Sequence, residues 1–261
     1  MRPSFGLFLV LLLSSAPLSQ AAVVGRTVAY QDGAAVLEGY LAYDDAVKGP
    51  RPAVLVVHEW KGLNDYTKGR ADQLAALGYV GFAVDMYGKG VFAETHEEAA
   101  KLSGAYRNDR SLMRQRAKAA YDILLRQPEV DSSRVAALGY CFGGMTVLEM
   151  ARASLQLLGA ASFHGGLSTP LPAKKGDIRA KLRIFHGDED PFVTAAEVEA
   201  FRDEMRAAEA DWQMTFYSGA VHAFTVPSAG NDKSQGAAYN EAADKASWKA
   251  LTVFLQEIFG A

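Results

Sequence analysis

The sequence has a single cysteine, no marked excess of one charge and no apolar run of membrane length beyond its N-terminus. Among 261 residues, 27 Lys and Arg stand against 30 Asp and Glu. This balance offers no strong field to a phosphate backbone and argues against nucleic acid as a partner. No metal-ligand cluster or nucleotide fingerprint is present in the sequence, so we expect no metal and no cofactor. A hydrophobic content of 49% is enough for one substantial core.

The one long apolar run lies near the N-terminus. Arg2 precedes the run over residues 5–13, and small residues follow as far as Ala21. This order is typical of a secretory signal peptide, and the run is shorter than the roughly 20 residues of a membrane-spanning helix. We expect residues 1–21 to be removed and residues 22–261 to form one exported domain, periplasmic or secreted. An uncleaved anchor is the alternative.

Apolar runs and helical periodicity alternate along the rest of the chain. Residues 27–30 and 35–43 predict an antiparallel hairpin. The apolar run over 52–60 is typical of a strand buried on both faces, and later runs like it are separated by helical segments, including one over 96–126. The pattern predicts one α/β domain, with a mostly parallel central sheet flanked by helices on both faces.

The cysteine lies at the junction of a predicted strand and helix, in the segment GYCFGG. Gly139-x-Cys141-x-Gly143 is the nucleophile-elbow pattern, with Cys in the usual place of Ser. A buried, inert thiol is the alternative. A phosphate loop would require a following Lys, which is absent. We therefore predict a reactive sulfur pushed out over the sheet edge at a helix N-terminus, where the positive end of the helix favours a thiolate.

Acids and bases follow the nucleophile in the order that this fold uses. The segment HGDEDPFV offers three carboxylates, Asp188, Glu189 and Asp190, at the end of a predicted strand. His222 follows the next strand and is the candidate base. Since reactive groups collect at the carboxyl ends of parallel strands, we expect these residues to meet.

Several of these segments together resemble the dienelactone hydrolase family of the α/β-hydrolase superfamily. The likeness covers most of residues 25–260, through VVHEWKGLNDYTKGRADQLAALGYVGFAVDMYG, GYCFGG, HGDEDPFV and VHAF. It implies an α/β-hydrolase fold and a Cys-His-Asp triad of Cys141, His222 and Asp190, the acid being third after Gly187. It also implies that Glu59 is an additional carboxylate beside the thiol.

The resemblance also assigns an oxyanion hole and suggests a pocket. The hole would be made by the backbone N–H groups of Trp60 and Phe142. Tyr87, with Trp60 and Phe142, suggests a partly aromatic substrate pocket, although any of the three can belong to the core. His58 lies close enough in sequence to line that pocket, and a buried structural role is the alternative.

The expected reaction is hydrolysis of a small ester or lactone through a thioester intermediate. A thiolate, whose parent thiol has an ordinary pKa of about 8.5, leaves a tetrahedral intermediate more readily than an alkoxide, which favours activated carbonyls such as enol lactones, aryl esters or thioesters. Family members that act on carboxylated dienelactones hold the carboxylate with two arginines, and those positions fall near His96 and on Val226 here. An acyltransferase or thioesterase-like enzyme and an inactive binding module are the alternatives. We expect a monomer or small homo-oligomer.

Overall fold

The computed structural model describes residues 23–260 and contains an eight-stranded sheet. The signal peptide predicted for residues 1–21 lies outside the described residues. The strands lie in the order β1-β2-β4-β3-β5-β6-β7-β8. Their bounds are Val23–Asp32 (β1), Ala35–Asp44 (β2), Arg51–Val57 (β3), Val80–Val84 (β4), Val130–Tyr140 (β5), Gly159–Phe163 (β6), Lys181–Gly187 (β7) and Trp212–Tyr217 (β8).

The sheet is mostly parallel, as predicted. β1 and β2 form the antiparallel hairpin, and β2 is also antiparallel to β4. All pairings from β4 to β8 are parallel. The carboxyl ends of β3, β5, β7 and β8 therefore lie along one edge, which confirms the edge at which chemical groups were expected.

Within residues 23–260, six α-helices flank the sheet, and five of them are preceded by a residue whose side chain accepts a backbone N–H. Their bounds are Asp65–Ala76 (α1), His96–Asn108 (α2), Arg110–Leu124 (α3), Phe142–Arg152 (α4), Ala195–Ala207 (α5) and Glu241–Phe259 (α6). The capping side chains are Asn64, Thr95, Asp109, Thr194 and Asn240. α4 is the exception, since its N-cap Cys141 makes no side-chain capping bond. The first N–H groups of α4 thus remain available to another acceptor.

Alternate side chains of β3 enter two different cores. Leu55 and Val57 belong to one apolar cluster, together with side chains of α3, α4 and α5. Val54 and Val56 belong to a second cluster, on the other face, with side chains of α1 and α6. The continuous apolar run is thus explained by burial on both faces. Within residues 23–260, every helix is too short or too polar to cross a membrane.

Two details differ from the sequence prediction. The segment over 96–126 forms two helices, because Asp109 adopts an extended conformation and caps α3 through Leu112 N–H. Strands and helices also do not alternate throughout, since β6 and β7 are joined by residues 164–180 without a helix. Glycines and prolines in that connection disfavour helix formation.

Candidate active site

Cys141 lies at a sharp strand-to-helix corner. It joins β5 to α4 with φ 54° and ψ −111°, a conformation that side-chain-bearing residues rarely adopt. Its N–H donates to the carbonyl of Phe163 at 3.0 Å, which anchors the corner to β6. Such local strain is typical of functional positions and of a nucleophile elbow.

Two glycines make this corner possible. A Cβ on Gly139 would lie 2.1 Å from the carbonyl oxygen of Gly143. A Cβ on Gly143 would lie 2.1 Å from the oxygen of Val57 and 2.7 Å from that of His58. Since backbone oxygens cannot swing aside, only glycine fits at both places. The first turn of α4 therefore sits directly on the end of β3.

Asp190 and His222 meet at the ends of β7 and β8. Nδ1 of His222 is 2.8 Å from Oδ2 of Asp190, and the other carboxylate oxygen accepts the N–H of Phe192 at 2.9 Å. The Asp190 side chain is 0% exposed. Asp188 and Glu189 are exposed instead, so Asp190 alone of the three candidate acids contacts the ring.

The His222 ring is placed between a carboxylate and the sulfur. Burial by itself lowers the pKa of His222, but the negative charge of Cys141 and hydrogen bonds to Asp190 and Cys141 raise that pKa to about 10. At neutral pH the imidazole therefore holds its proton and a positive charge. The arrangement places a charged imidazolium, oriented by a buried carboxylate, beside the sulfur.

Glu59 follows β3 and is partly buried. Burial raises the pKa of its carboxyl from 4.5 to about 7, against the opposing influence of the positive charge on His222. Among the described residues its carboxylate makes no hydrogen bond to Cys141, so its principal electrostatic neighbour is the imidazole.

Two backbone N–H groups near the corner have no acceptor within residues 23–260. They belong to Trp60, in the turn after β3, and to Phe142, the first residue of α4. Because α4 packs against the end of β3, these amides flank the corner from two elements. Paired free donors of this kind suit an oxyanion.

His58 and Tyr87, both predicted to line a pocket, are mainly structural. His58 is 0% exposed, and each ring nitrogen is bonded to a backbone group. This burial contradicts the expectation that His58 lines the pocket. Tyr87 is also buried, and its hydroxyl donates to the carbonyl of Trp60 at 2.8 Å. Burial raises the pKa of its phenol, and the nearby Cys141 adds to this effect.

Phe192 is a site residue that the sequence analysis missed. Its side chain is 58% exposed, and its ring meets that of His222 edge-on at 5.3 Å. It therefore forms an apolar rim directly beside the imidazole. A lone Phe in a loop does not by itself predict a place at the rim of a site. Its position two residues after Asp190 is the one indication that the sequence offers.

A buried polar group, His164, lies behind His222 at the end of β6. The His164 ring packs edge-on against His222 at 5.2 Å, and its Nε2 is 2.8 Å from the hydroxyl of Thr225. That hydroxyl is also 2.7 Å from the Tyr66 hydroxyl. Burial and the adjacent charge of His222 hold the pKa of His164 well below its usual value, so a neutral ring backs the cationic one.

Known proteins resemble this chain over most of its length. The model of the dienelactone hydrolase family matches residues 37–259. A solved structure described as a dienelactone hydrolase-like promiscuous phosphotriesterase, P91, from metagenomic libraries, is 41% identical with a TM-score of 0.85 and covers 91% of this chain and 99% of that one. A Synechocystis protein named putative carboxymethylenebutenolidase is 28% identical, covering 84% of this chain and 91% of the relative.

Proposed function

Because the chain belongs to the dienelactone hydrolase family and is a carboxylic ester hydrolase, we propose that Cys141, His222 and Asp190 are its catalytic triad. The observation that carries this proposal is the position of the His222 ring, whose Nδ1 is bonded to a fully buried carboxylate and whose pKa is raised by the neighbouring Cys141. An imidazole in this position can move a proton between sulfur, leaving group and water.

The reaction then proceeds in two halves. The Cys141 thiolate attacks the ester carbonyl, and the N–H groups of Trp60 and Phe142 stabilise the oxyanion. When the carbon–oxygen bond breaks, the leaving alcohol or enol takes the proton of His222, and a thioester remains. Water then attacks while His222 removes its proton, and collapse of the second intermediate returns the thiolate and releases the acid. Asp190 holds the imidazole in the orientation that both halves require.

The substrate class follows from sulfur as the nucleophile. In the first intermediate, an ordinary alkoxide leaves less readily than a thiolate, so attack on a simple alkyl ester mainly reverses. We therefore propose aryl esters, enol lactones and thioesters as substrates. p-Nitrophenyl acetate should turn over far faster than ethyl acetate, and equal turnover would contradict this class.

The substrate is proposed to lack a carboxylate. The His96 ring packs at a tilt against Trp60 with ring centroids 5.2 Å apart, and Val226 is buried, so neither position supplies a guanidinium fork for a carboxylate. An enol lactone without a carboxylate should be preferred over its carboxylated analogue.

The experiment that tests the triad is acylation of the thiol. With p-nitrophenyl acetate, mass spectrometry should detect an acetyl group on Cys141 of the wild type, and Cys141→Ala should lose both the adduct and turnover. Turnover that persists in Cys141→Ala would refute the triad. Adding an alcohol to the same assay distinguishes hydrolysis from acyl transfer, since a transferase would form the new ester in preference to the acid.

Hydrolysis of activated phosphotriesters is a second candidate activity. It is favoured by the 41% identity to the promiscuous phosphotriesterase P91. Paraoxon, which shares a p-nitrophenolate leaving group with the acetate, is the appropriate probe. Release of nitrophenolate by the wild type and not by Cys141→Ala would support the activity.

Glu59 is proposed to restrain the thiolate at rest. A negative charge near the Cys141–His222 pair opposes ionisation of the sulfur, and reactivity toward oxidants follows thiolate character. Glu59→Gln should therefore change the rate and pH profile of Cys141 alkylation. An unchanged profile would exclude this role.

Export is proposed on the pattern of residues 1–21 alone. Expression of the full chain in bacteria should yield a product that begins at Ala22 in the periplasm or the medium. A cytoplasmic product that retains residue 1 would refute it.

A further inference from the structure

Three successive backbone carbonyls after β3 are each held by a hydrogen bond. The carbonyls of residues 59, 60 and 61 accept, respectively, from the His58 ring at 2.5 Å, the Tyr87 hydroxyl at 2.8 Å and the Ala93 N–H at 2.8 Å. Tyr87 and Ala93 belong to the segment that follows β4. The loop that carries the Trp60 N–H is therefore fixed by groups outside the nucleophile corner.

The His58 ring can have only one tautomer in this setting. Its Nε2 lies 3.2 Å from the N–H of Met86, which has only a proton to offer, so Nε2 accepts. Nδ1 therefore carries the proton and donates it to the Glu59 carbonyl. Burial lowers the pKa of His58 to about 4, so the ring stays neutral and the donor stays in place at neutral pH.

The bond to Glu59 acts on the neighbouring donor through one rigid unit. The Glu59 carbonyl and the Trp60 N–H belong to the same peptide group, and residues 23–260 contain no cis peptide bond. In a planar trans peptide the C=O and N–H point in opposite directions. A donor that holds the carbonyl on one side therefore directs the N–H to the other.

We propose that His58 is a positioning residue for the oxyanion hole, which it orients by fixing the Glu59–Trp60 peptide through Nδ1–H. The inference rests on the proposed function, since it assigns an orienting group to the Trp60 donor. Without His58, the Glu59 carbonyl keeps only the Gly62 N–H, at 3.3 Å. The peptide can then rotate, and a carbonyl oxygen that enters the hole repels the developing negative charge.

The test compares His58→Leu, which removes the donor, with His58→Asn, whose side-chain amide reaches the position of Nδ1. His58→Leu should lower kcat for p-nitrophenyl acetate by about 10²-fold, the effect of losing one oxyanion donor, with KM little changed. His58→Asn should recover at least about tenfold of this loss, since it restores the bond to the peptide. Iodoacetamide should alkylate Cys141 at the wild-type rate in both variants, because alkylation creates no oxyanion.

Tyr87→Phe provides the matched comparison. It removes a hydrogen bond to the same loop, but from the carbonyl of the next peptide, whose N–H belongs to Lys61. Its loss of kcat should be well below that of His58→Leu. An equal loss would show that general anchoring of the loop matters rather than the orientation of one peptide, and would overturn the proposal.

Other outcomes separate this inference from the proposed function. If alkylation falls in proportion to kcat, or if His58→Asn is as slow as His58→Leu, His58 is only structural. Full kcat in His58→Leu also refutes the inference, while loss of activity in Cys141→Ala still supports the triad. Turnover that survives in Cys141→Ala refutes the triad itself. If His58→Leu does not fold, His58→Gln replaces it, since its amide reaches the position of Nε2 rather than Nδ1.

Discussion

The nucleophile corner, residues 139–144, and the loop after β3, residues 58–62, lie side by side at the sheet edge and become rigid in different ways. The corner is fixed by close contact, since glycine permits backbone atoms to approach where any Cβ would clash. The loop is fixed by hydrogen bonds from the segment after β4, including the Tyr87 hydroxyl and the Ala93 N–H. The glycine pattern of the corner lies within six consecutive residues, 139–144, although Gly143 also contacts the end of β3. The geometry of the loop depends instead on hydrogen bonds from the segment after β4.

This difference decides how mutations should act. Substitution at the corner introduces steric overlap that the surrounding backbone cannot relieve. Substitution around the loop removes one hydrogen bond from several and leaves the chain folded.

The largest effect is expected for Asp190→Asn. The amide keeps the shape of the side chain but no longer stabilises an imidazolium or fixes its tautomer, and an equivalent change in a Ser-His-Asp enzyme lowers kcat by about 10⁴. Activity toward p-nitrophenyl acetate should fall by a comparable factor, with folding retained. Asp188→Asn is the control, because that carboxylate is exposed two residues away. If Asp188→Asn reduced activity as much as Asp190→Asn, the assignment of the acid would be wrong.

Gly143→Ala tests the point at which the two regions touch. The new Cβ would overlap the oxygens of Val57 and His58, so the corner and the loop must both move. Overpacking of this kind lowers the free energy of unfolding by about 1–3 kcal/mol or more, and activity should fall with it. Urea denaturation and the ester assay measure the two effects.

Gly104→Ala is the matched control, since no atom other than its chain neighbours and the backbone of its own helix lies within 4 Å of the added Cβ. In the interior of α2, Ala is favoured over Gly by up to about 1 kcal/mol. The two substitutions should therefore change stability in opposite directions. Equal behaviour would show that Gly143 is not at a close contact.

The same distinction explains which parts of the site the sequence could predict. The corner was predicted because Gly139-x-Cys141-x-Gly143 is a local pattern with a direct steric cause. Asp190 and His222 were predicted from chain order and the family resemblance. The role of His58 was not, because its bond from the Met86 N–H depends on how β3 and β4 align, and a histidine after a strand can serve many purposes.

The fold was predictable for a similar reason. Apolar runs marked the strands and helical periodicity marked most helices, since both are local consequences of burial. The break at Asp109 and the irregular connection over 164–180 were missed. Both depend on caps and turn residues, whose effect competes with periodicity over a few positions.

Glu59→Gln, in the loop after β3, should have a smaller effect, which is a pH-dependent change in the free energy of unfolding. The folded-state pKa of Glu59 is raised from 4.5 to about 7 by burial, so the folded protein binds this proton more tightly than the unfolded chain does. The stabilisation that this tighter proton binding gives the folded protein is complete below pH 4.5 and is lost as pH rises toward 7. A glutamine does not titrate, so the stability of the variant relative to wild type should increase across this interval.

Urea denaturation at pH 4.5, 6 and 7.5 measures that difference. Glu94→Gln is the control, because Glu94 is exposed on the neighbouring loop. Its stability difference from wild type should stay nearly constant over the same range. A constant difference for Glu59→Gln as well would show that Glu59 ionises alike in the folded and unfolded states.

Phe192→Ala should have the smallest effect. It tests whether the residues around Asp190 and His222 also contribute to substrate affinity. Phe192 presents an exposed ring beside His222, so an aryl ester can bury apolar surface against it. Loss of that contact should raise KM by about threefold to tenfold, the equivalent of roughly 1 kcal/mol of apolar burial, with kcat almost unchanged. Val253→Ala, which trims an equally exposed apolar side chain on α6, should leave KM unaltered. A fall in kcat rather than a rise in KM would mean that the Phe192 ring positions the imidazole through its edge-on contact with His222 and does not bind substrate.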